Sequence, residues 1–230
     1  MSNSIIKQIK KGLLLLLIFI TTFFSCSKDD NNQDEEENPT GLTVYVAGIE
    51  NKSNDYNSGS YATLWKNGKV TNLNNGSTSA MAESVYVSGN DVYVGGYEYV
   101  NNTSNQTAIA KIWKNGVASN LSDGIKPAYI TSVFVKDNDV YAAGFQSAEA
   151  NYTSNLIAMV WKNGVATNLT DGTYYAKATG IIVIGDDVYV SGREQSGSNG
   201  SDIAKVWKNG VATNLTNGAK LGRAHAIFVK

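Results

Sequence analysis

An all-β fold made of four copies of one four-stranded antiparallel unit is predicted by three observations. Trp-Lys-Asn-Gly occurs four times, with its tryptophans at Trp65, Trp113, Trp161 and Trp207. Val-Tyr-Val or Val-Tyr-Ala begins at Val44, Val92, Val140 and Val188, each 48 residues after the one before. The tryptophan spacings are 48, 48 and 46, so only one loop has changed length. Between these landmarks lie short runs rich in Val and Tyr, broken by Asn, Asp and Gly, which is the pattern of strands joined by turns. Strand-built repeats with a period of about 40 to 50 residues indicate propeller blades.

The unit from Ala80 to Gly124 shows each element in turn. "ESVYVSG" and "DVYVGG" read as the first two strands, joined at Asn90-Asp91, a pair that tolerates the positive φ of a tight hairpin turn. "AIAKIWK" and "VASNL" read as the third and fourth, flanking Asn115-Gly116, a strong hairpin signal. Asn67, Asn163 and Asn209 repeat that turn. A tryptophan at one fixed place, two residues before each turn asparagine, suits the covering of a seam between neighbouring units, worth about 4 to 6 kcal/mol gross per buried ring. A sugar-stacking platform is the alternative for these indoles, and packing is favoured because all four copies keep the same place.

The order of strand, turn, "VYVGG", long loop, tryptophan strand, short turn and strand resembles the kelch-type blade over residues 43–230. The double glycine stands at Gly95-Gly96, with Ala47-Gly48, Ala143-Gly144 and Ser191-Gly192 in the other copies. Counted this way, the repeat region opens on a second strand at Val44 and closes on a first strand, "AHAIFVK". Pairing of those two ends would give four closed blades without an open sheet edge. Two chains sharing an eight-bladed ring, or a piece of a larger propeller, satisfy the same count.

Residues 1–25 read as an export signal: Lys7, Lys10 and Lys11 precede an apolar run from Leu13 to Phe24. That run is shorter than the roughly 20 residues a membrane-spanning helix needs. The chain's single cysteine, Cys26, follows at once, so no internal disulfide framework is expected. "FFSCSKDD" resembles the lipobox of bacterial lipoproteins followed by the acidic export tag of Bacteroidota-type surface lipoproteins. The resemblance implies diacylglycerol on Cys26 and an address on the outer face of the outer membrane. Residues 26–41 then form an acidic linker with nothing to bury, about 20 Å in root-mean-square span as a flexible coil. Residues 42–230 form the repeat domain.

Without residues 1–25, 16 basic residues face 20 acidic ones, a formal net charge of −4. No basic stripe exists to neutralise phosphates, so nucleic acid is an unsuitable partner. No calcium loop, phosphate-binding glycine loop or metal-spaced cysteine set is present, and no cofactor or metal is expected. Matches to Asn-x-Ser/Thr, such as Asn168 to Thr170, carry no weight in a bacterial lipoprotein.

The short turns belong on one face of the repeat and are nearly constant. The opposite face carries "NKSNDYNSGS", "YVNNTSNQT", "SAEANYTSN" and "QSGSNGSD", and rigid scaffolds place binding on such variable loops. Candidate ligand-binding residues are Tyr56, Tyr99, Tyr152, Tyr174, Tyr175 and Arg193, with His225 at the mouth of the ring. His225 aligns with Glu83, Thr131 and Thr179 and has no visible partner set for catalysis. Glu50, Glu98 and Glu194, with Gln146 in the third copy, recur two residues after the second-strand glycine and are read as surface residues rather than a cation-holding ring.

The expected function is a lipid-anchored surface module that binds a glycan or a protein through its long-loop face. A glycan-cleaving enzyme would need two carboxylates roughly 5 to 9 Å apart in a cleft, drawn from Glu50, Glu83, Glu98, Glu149 and Glu194. A third reading is a protein that assembles laterally through its blades.

Overall fold

The computed structural model describes residues 41–55, 58–102, 105–150, 155–198 and 200–230. Fifteen strands occur among them: β1 (Tyr45–Asn51), β2 (Ser60–Lys66), β3 (Lys69–Asn72), β4 (Ala80–Ser88), β5 (Asp91–Asn102), β6 (Asn105–Lys114), β7 (Val117–Asn120), β8 (Ala128–Lys136), β9 (Asp139–Ser147), β10 (Leu156–Lys162), β11 (Val165–Asn168), β12 (Ala176–Ile184), β13 (Asp187–Gln195), β14 (Asp202–Lys208) and β15 (Val211–Asn214). They make four antiparallel meanders, the first of three strands (β1 to β3) and the others of four (β4 to β7, β8 to β11, β12 to β15). The all-β class and the repeated sheet are as the sequence predicts.

Each residue of Trp-Lys-Asn-Gly has a separate task. The asparagines adopt left-handed backbone angles, with φ of 49° to 51°, and the following glycines lie at 81° to 83°, which makes the tight turn the sequence implies. The Asn side chain also reaches across the hairpin. Its Oδ1 accepts from the amide of Val44, Val92, Val140 or Val188 at 2.8–2.9 Å. In three copies its Nδ2 donates to Asp91, Asp139 or Asp187 at 2.7 Å. The lysine pairs with the same aspartate at 2.7–2.8 Å in those copies. The sequence reading placed the preceding turn on Asn90-Asp91. In the structure Ser88 pairs with Asp91, so Gly89 and Asn90 form the turn, and Asp91 is held in the strand by Lys114 and Asn115.

The core consists of three seams between consecutive sheets, and each tryptophan seals the seam towards the preceding sheet. Trp113 packs with Ala62 and Leu73, Trp161 with Tyr93, Ala110 and Ile112, and Trp207 with Tyr141, Ala143 and Ala158. All three indoles are essentially inaccessible, at 0–2% exposure. Packing is therefore confirmed for them over sugar stacking. Trp161 Nε1–H also donates to the Leu121 carbonyl at 3.0 Å. Small residues at Ala62, Ala110, Ala158 and Ala204 let the sheets approach, while β3, β7, β11 and β15 are exposed along their whole length.

A bulge interrupts the first strand of each four-stranded sheet, at Glu83, Thr131 and Thr179. It drives the strand backbone onto its partner, where only glycine fits. A Cβ on Gly96, Gly144 or Gly192 would lie 1.9–2.1 Å from the carbonyl oxygen of Met81, Tyr129 or Lys177. The bulges also link sheets. Thr131 Oγ1 lies 3.0 Å from the Ala178 carbonyl and Thr179 Oγ1 lies 2.8 Å from that of Ala224. Ser84 and Ser132 Oγ accept from the amides of Val133 and Ile181 at 3.0 and 3.3 Å.

Two expectations differ from the structure. "YVNNTSNQT", expected as a loop, is largely strand, because β5 and β6 stay paired out to Asn102 and Asn105. "AHAIFVK", expected to complete the first blade, forms no strand and does not pair with β1. It lies beside β12 instead, fixed by the Thr179 contact to Ala224, by Gly222 N–H donating to the Asp202 carbonyl at 2.7 Å, and by Arg223 on the Asp202 carboxylate. The four sheets thus form an array that is not closed.

Candidate functional site

Cross-strand pairs at one level of successive sheets build a continuous wall. Met81 faces Tyr97, Tyr129 faces Phe145, and Lys177 faces Arg193. These are equivalent repeat positions, yet their chemistry changes along the array from apolar through aromatic to cationic. The rings touch in sequence: Tyr99 and Tyr97 edge to face at 5.5 Å, Tyr97 and Tyr129 at 4.7 Å, Tyr129 and Phe145 stacked at 4.8 Å. Lys177 Nζ then sits 4.1 Å from the centre of Phe145 and 5.5 Å from that of Tyr175, and the Arg193 guanidinium lies 5.7 Å from Tyr175. Cation–π attraction of this kind is worth about 0.5 to 2 kcal/mol.

The wall encloses a cavity of about 500 Å³ lined by Glu83, Tyr97, Tyr129, Phe145, Tyr175 and Lys177, among others. The volume is that of a small-ligand pocket, whose walls are commonly aromatic with a few placed polar groups.

Two charged groups in the cavity have no ion-pair partner among the described residues. Among the described residues no carboxylate lies within ion-pair distance of Lys177, and no cation lies within that distance of Glu83. Glu83 occupies the bulge position that Thr131 and Thr179 use to bind the next sheet, and its side chain makes no such link. It keeps access to solvent, but the cavity wall desolvates its carboxyl and raises its pKa above the ordinary glutamate value.

The residues proposed from the sequence are distributed unevenly. Tyr175 lines the cavity and Tyr99 stands at the end of the aromatic ladder. Arg193 leans on Tyr175 while its charge faces the buried carboxylate of Asp202 at 3.2 Å. Tyr174 lines a second hollow of about 410 Å³ with Asp171, Thr173 and Glu194. His225 is exposed on the segment beside β12 and lines neither. Tyr56, Tyr152 and Cys26 lie outside the described residues.

The repeated glutamates need a correction. Glu98 and Glu194 are not surface residues: their side chains are 14% and 17% exposed, and each is paired with a lysine, Lys111 or Lys205. Glu98 also accepts from the Thr78 hydroxyl. In the third sheet both members are replaced together, by Gln146 and Met159, and in the first Glu50 is exposed and Thr63 stands at the position equivalent to Lys111. Burial between strands two and three makes the charge acceptable only as a pair. Glu83 is the one carboxylate lining the cavity among the described residues, and no group of three or more His, Cys, Asp or Glu among them is arranged to hold a metal ion.

Sequence reasoning missed Tyr97, Tyr129, Phe145 and Lys177 because it sought variation in loops. The signal lay at strand positions 81, 129 and 177 and 97, 145 and 193, where aligned repeats differ most in chemistry. Compared with known proteins, the chain matches no family model and no curated protein.

Proposed function

We propose that this chain is a β-propeller-type binding module for a glycan, held on the cell surface by acylated Cys26 and spaced from the membrane by its acidic linker. The observation that carries the reading is the cavity in which a ladder of aromatic rings meets Lys177 and Glu83. Aromatic rings offer flat apolar contact to the C–H faces of a sugar, and the charges of Lys177 and Glu83 can engage its hydroxyl or acidic substituents. The anchor is supported by the sequence around Cys26. A glycan hydrolase is less well supported, because two carboxylates are needed and, among the described residues, Glu83 stands without a second in the cavity.

The test is calorimetry and thermal shift on the full chain carrying Cys26→Ser against neutral and acidic oligosaccharides. A ligand at 100 times its dissociation constant stabilises by about 2.7 kcal/mol. Tyr129→Ala and Lys177→Met are expected to lose binding while keeping a cooperative melt. Binding that survives both substitutions, or no binding to any oligosaccharide, would refute the reading. Cys26→Ser is also expected to abolish incorporation of a labelled fatty acid in cells.

A further inference from the structure

The four Trp-Lys-Asn-Gly turns serve as controls for one another. Asn67, Asn115, Asn163 and Asn209 share a left-handed φ of 49° to 51° and are all exposed. The glycines after them stand in equally open space, since a Cβ on Gly68, Gly116, Gly164 or Gly210 would meet nothing within 4 Å. Each side chain accepts from a strand amide through Oδ1. They differ on the other side of the carboxamide. Nδ2 of Asn115, Asn163 and Asn209 donates to Asp91, Asp139 or Asp187 at 2.7 Å. In the first copy Thr43 stands where those aspartates stand, and Asn67 Nδ2 has no acceptor among the described residues. Lys66 likewise lacks the carboxylate that its counterparts pair with, and rests over the Tyr45 ring at 5.8 Å.

An asparagine followed by glycine is open to attack by the next backbone nitrogen, because glycine has no Cβ to screen it. The deprotonated glycine nitrogen adds to the asparagine Cγ, the Cγ–Nδ2 bond breaks, and ammonia leaves with the proton. The succinimide so formed takes up one water and opens at either carbonyl, to aspartate or to isoaspartate. Attack requires the carboxamide to swing off its hydrogen bonds until Cγ meets that nitrogen. A carboxamide tied at both Oδ1 and Nδ2 swings less than one tied at Oδ1 alone, and a carboxylate beside it opposes the negative charge that develops during attack. That carboxylate also opposes the product, which would be a second carboxylate at hydrogen-bond distance.

We propose that Asn67 is a modification site, the first of the four Trp-Lys-Asn-Gly turns to convert to aspartate or isoaspartate. Isoaspartate inserts its Cβ into the backbone of the turn, where the Asn67 N–H now donates to the Val44 carbonyl at 2.9 Å and Lys66 pairs with Lys69. The β2–β3 hairpin is the element that conversion loosens. Asn75 and Asn217 also precede glycine, but in a loop position where Asp123 and Asp171 make the same side-chain turn in other copies. Conversion to aspartate there reproduces a residue the turn already accepts. The inference does not depend on the glycan reading.

The test ages the full chain carrying Cys26→Ser in mildly alkaline buffer and follows each turn by peptide mass spectrometry, with enzymatic methylation to detect isoaspartate. Asn67 is expected to convert about two- to fivefold faster than Asn115, Asn163 and Asn209, the scale set by one exposed charged contact. Asp91→Thr, which gives the second copy the first copy's residue, is expected to raise Asn115 to the rate of Asn67 and leave Asn163 unchanged. Thr43→Asp is expected to slow Asn67. Equal rates at the four turns, absence of conversion at all of them included, would overturn the proposal. So would an Asn115 rate that Asp91→Thr leaves unchanged.

Discussion

Replacing glycine by alanine at equivalent positions separates the glycines pressed by a first-strand backbone from Gly48, which meets only a tryptophan ring. In Gly144→Ala the new Cβ would stand 1.9 Å from the Tyr129 carbonyl oxygen and 3.1 Å from Ile130 Cα. Ordinary carbon–oxygen contacts begin near about 3.3 Å, so β8 and β9 must separate by about 1.4 Å. Neither neighbour is a side chain that can rotate away, and the separation breaks pairing at the bulge. Overpacking of this kind costs about 1 to 3 kcal/mol, with about 1 kcal/mol more for each hydrogen bond lost. For a domain of this size each kcal/mol lowers Tm by roughly 2 to 4 °C, so with one hydrogen bond lost a fall of about 4 to 16 °C is expected. Gly48→Ala meets only a half-buried tryptophan ring and is expected to shift the melt of the single chain by less than about 1 kcal/mol. Calorimetry on both variants decides the matter. An unchanged melt in Gly144→Ala, or an equal fall in Gly48→Ala, would refute the reasoning.

Three further outcomes follow from the same contacts. Glu83→Thr is expected to gain the link to the Ile130 carbonyl that Thr131 makes to Ala178, about 1 kcal/mol. The raised Glu83 carboxyl makes the folded state bind its proton more tightly than the unfolded chain does. The ionised group therefore costs stability above its folded pKa, a cost that fades as pH falls through it, and Glu83→Thr removes that pH dependence in denaturant titrations. Asp91, Asp139 and Asp187 behave oppositely: the hydrogen bond from Lys114, Lys162 or Lys208, and then that from the turn asparagine, hold each carboxyl below the usual range. Their contribution is present above the unfolded value near 3.9 and is lost as pH falls through the folded one, so the triple Asn variant should show a flatter acid limb in melts below about pH 4. Trp207→Ala, at a fully buried indole, is expected to cost about 3 to 5 kcal/mol by chemical denaturation, and Trp65→Ala clearly less in the single chain.

The repeat made the fold legible, since period, turn residues and tryptophans together specify a meander and its seams. Asn115-Gly116 could be assigned its backbone angles because few other residues adopt them. The link from Asn115 to Val92 was not legible, because it joins strands 23 residues apart through a side chain whose turn role already accounted for it. Of the site, Tyr175 and Tyr99 were found because they flank loops. Tyr129 and Phe145 looked like ordinary strand residues, and only the bulge and the register bring them onto one wall with Lys177. Residues 224–230 read as a first strand from their pattern, but they lie beside β12 without pairing, held by contacts of Gly222, Arg223 and Ala224 to distant residues that no local pattern records.

The paired replacement of Glu98–Lys111 by Gln146–Met159 sets a rule for recombination among the repeats. Exchanging the second strand of one copy alone would put a buried glutamate against methionine, or a lysine against glutamine. Exchanging the second and third strands as one hairpin carries both partners across. The heritable unit of this architecture is therefore the hairpin, smaller than the repeat and larger than the strand, and chimaeras cut at its ends should tolerate shuffling where cuts through its turn do not.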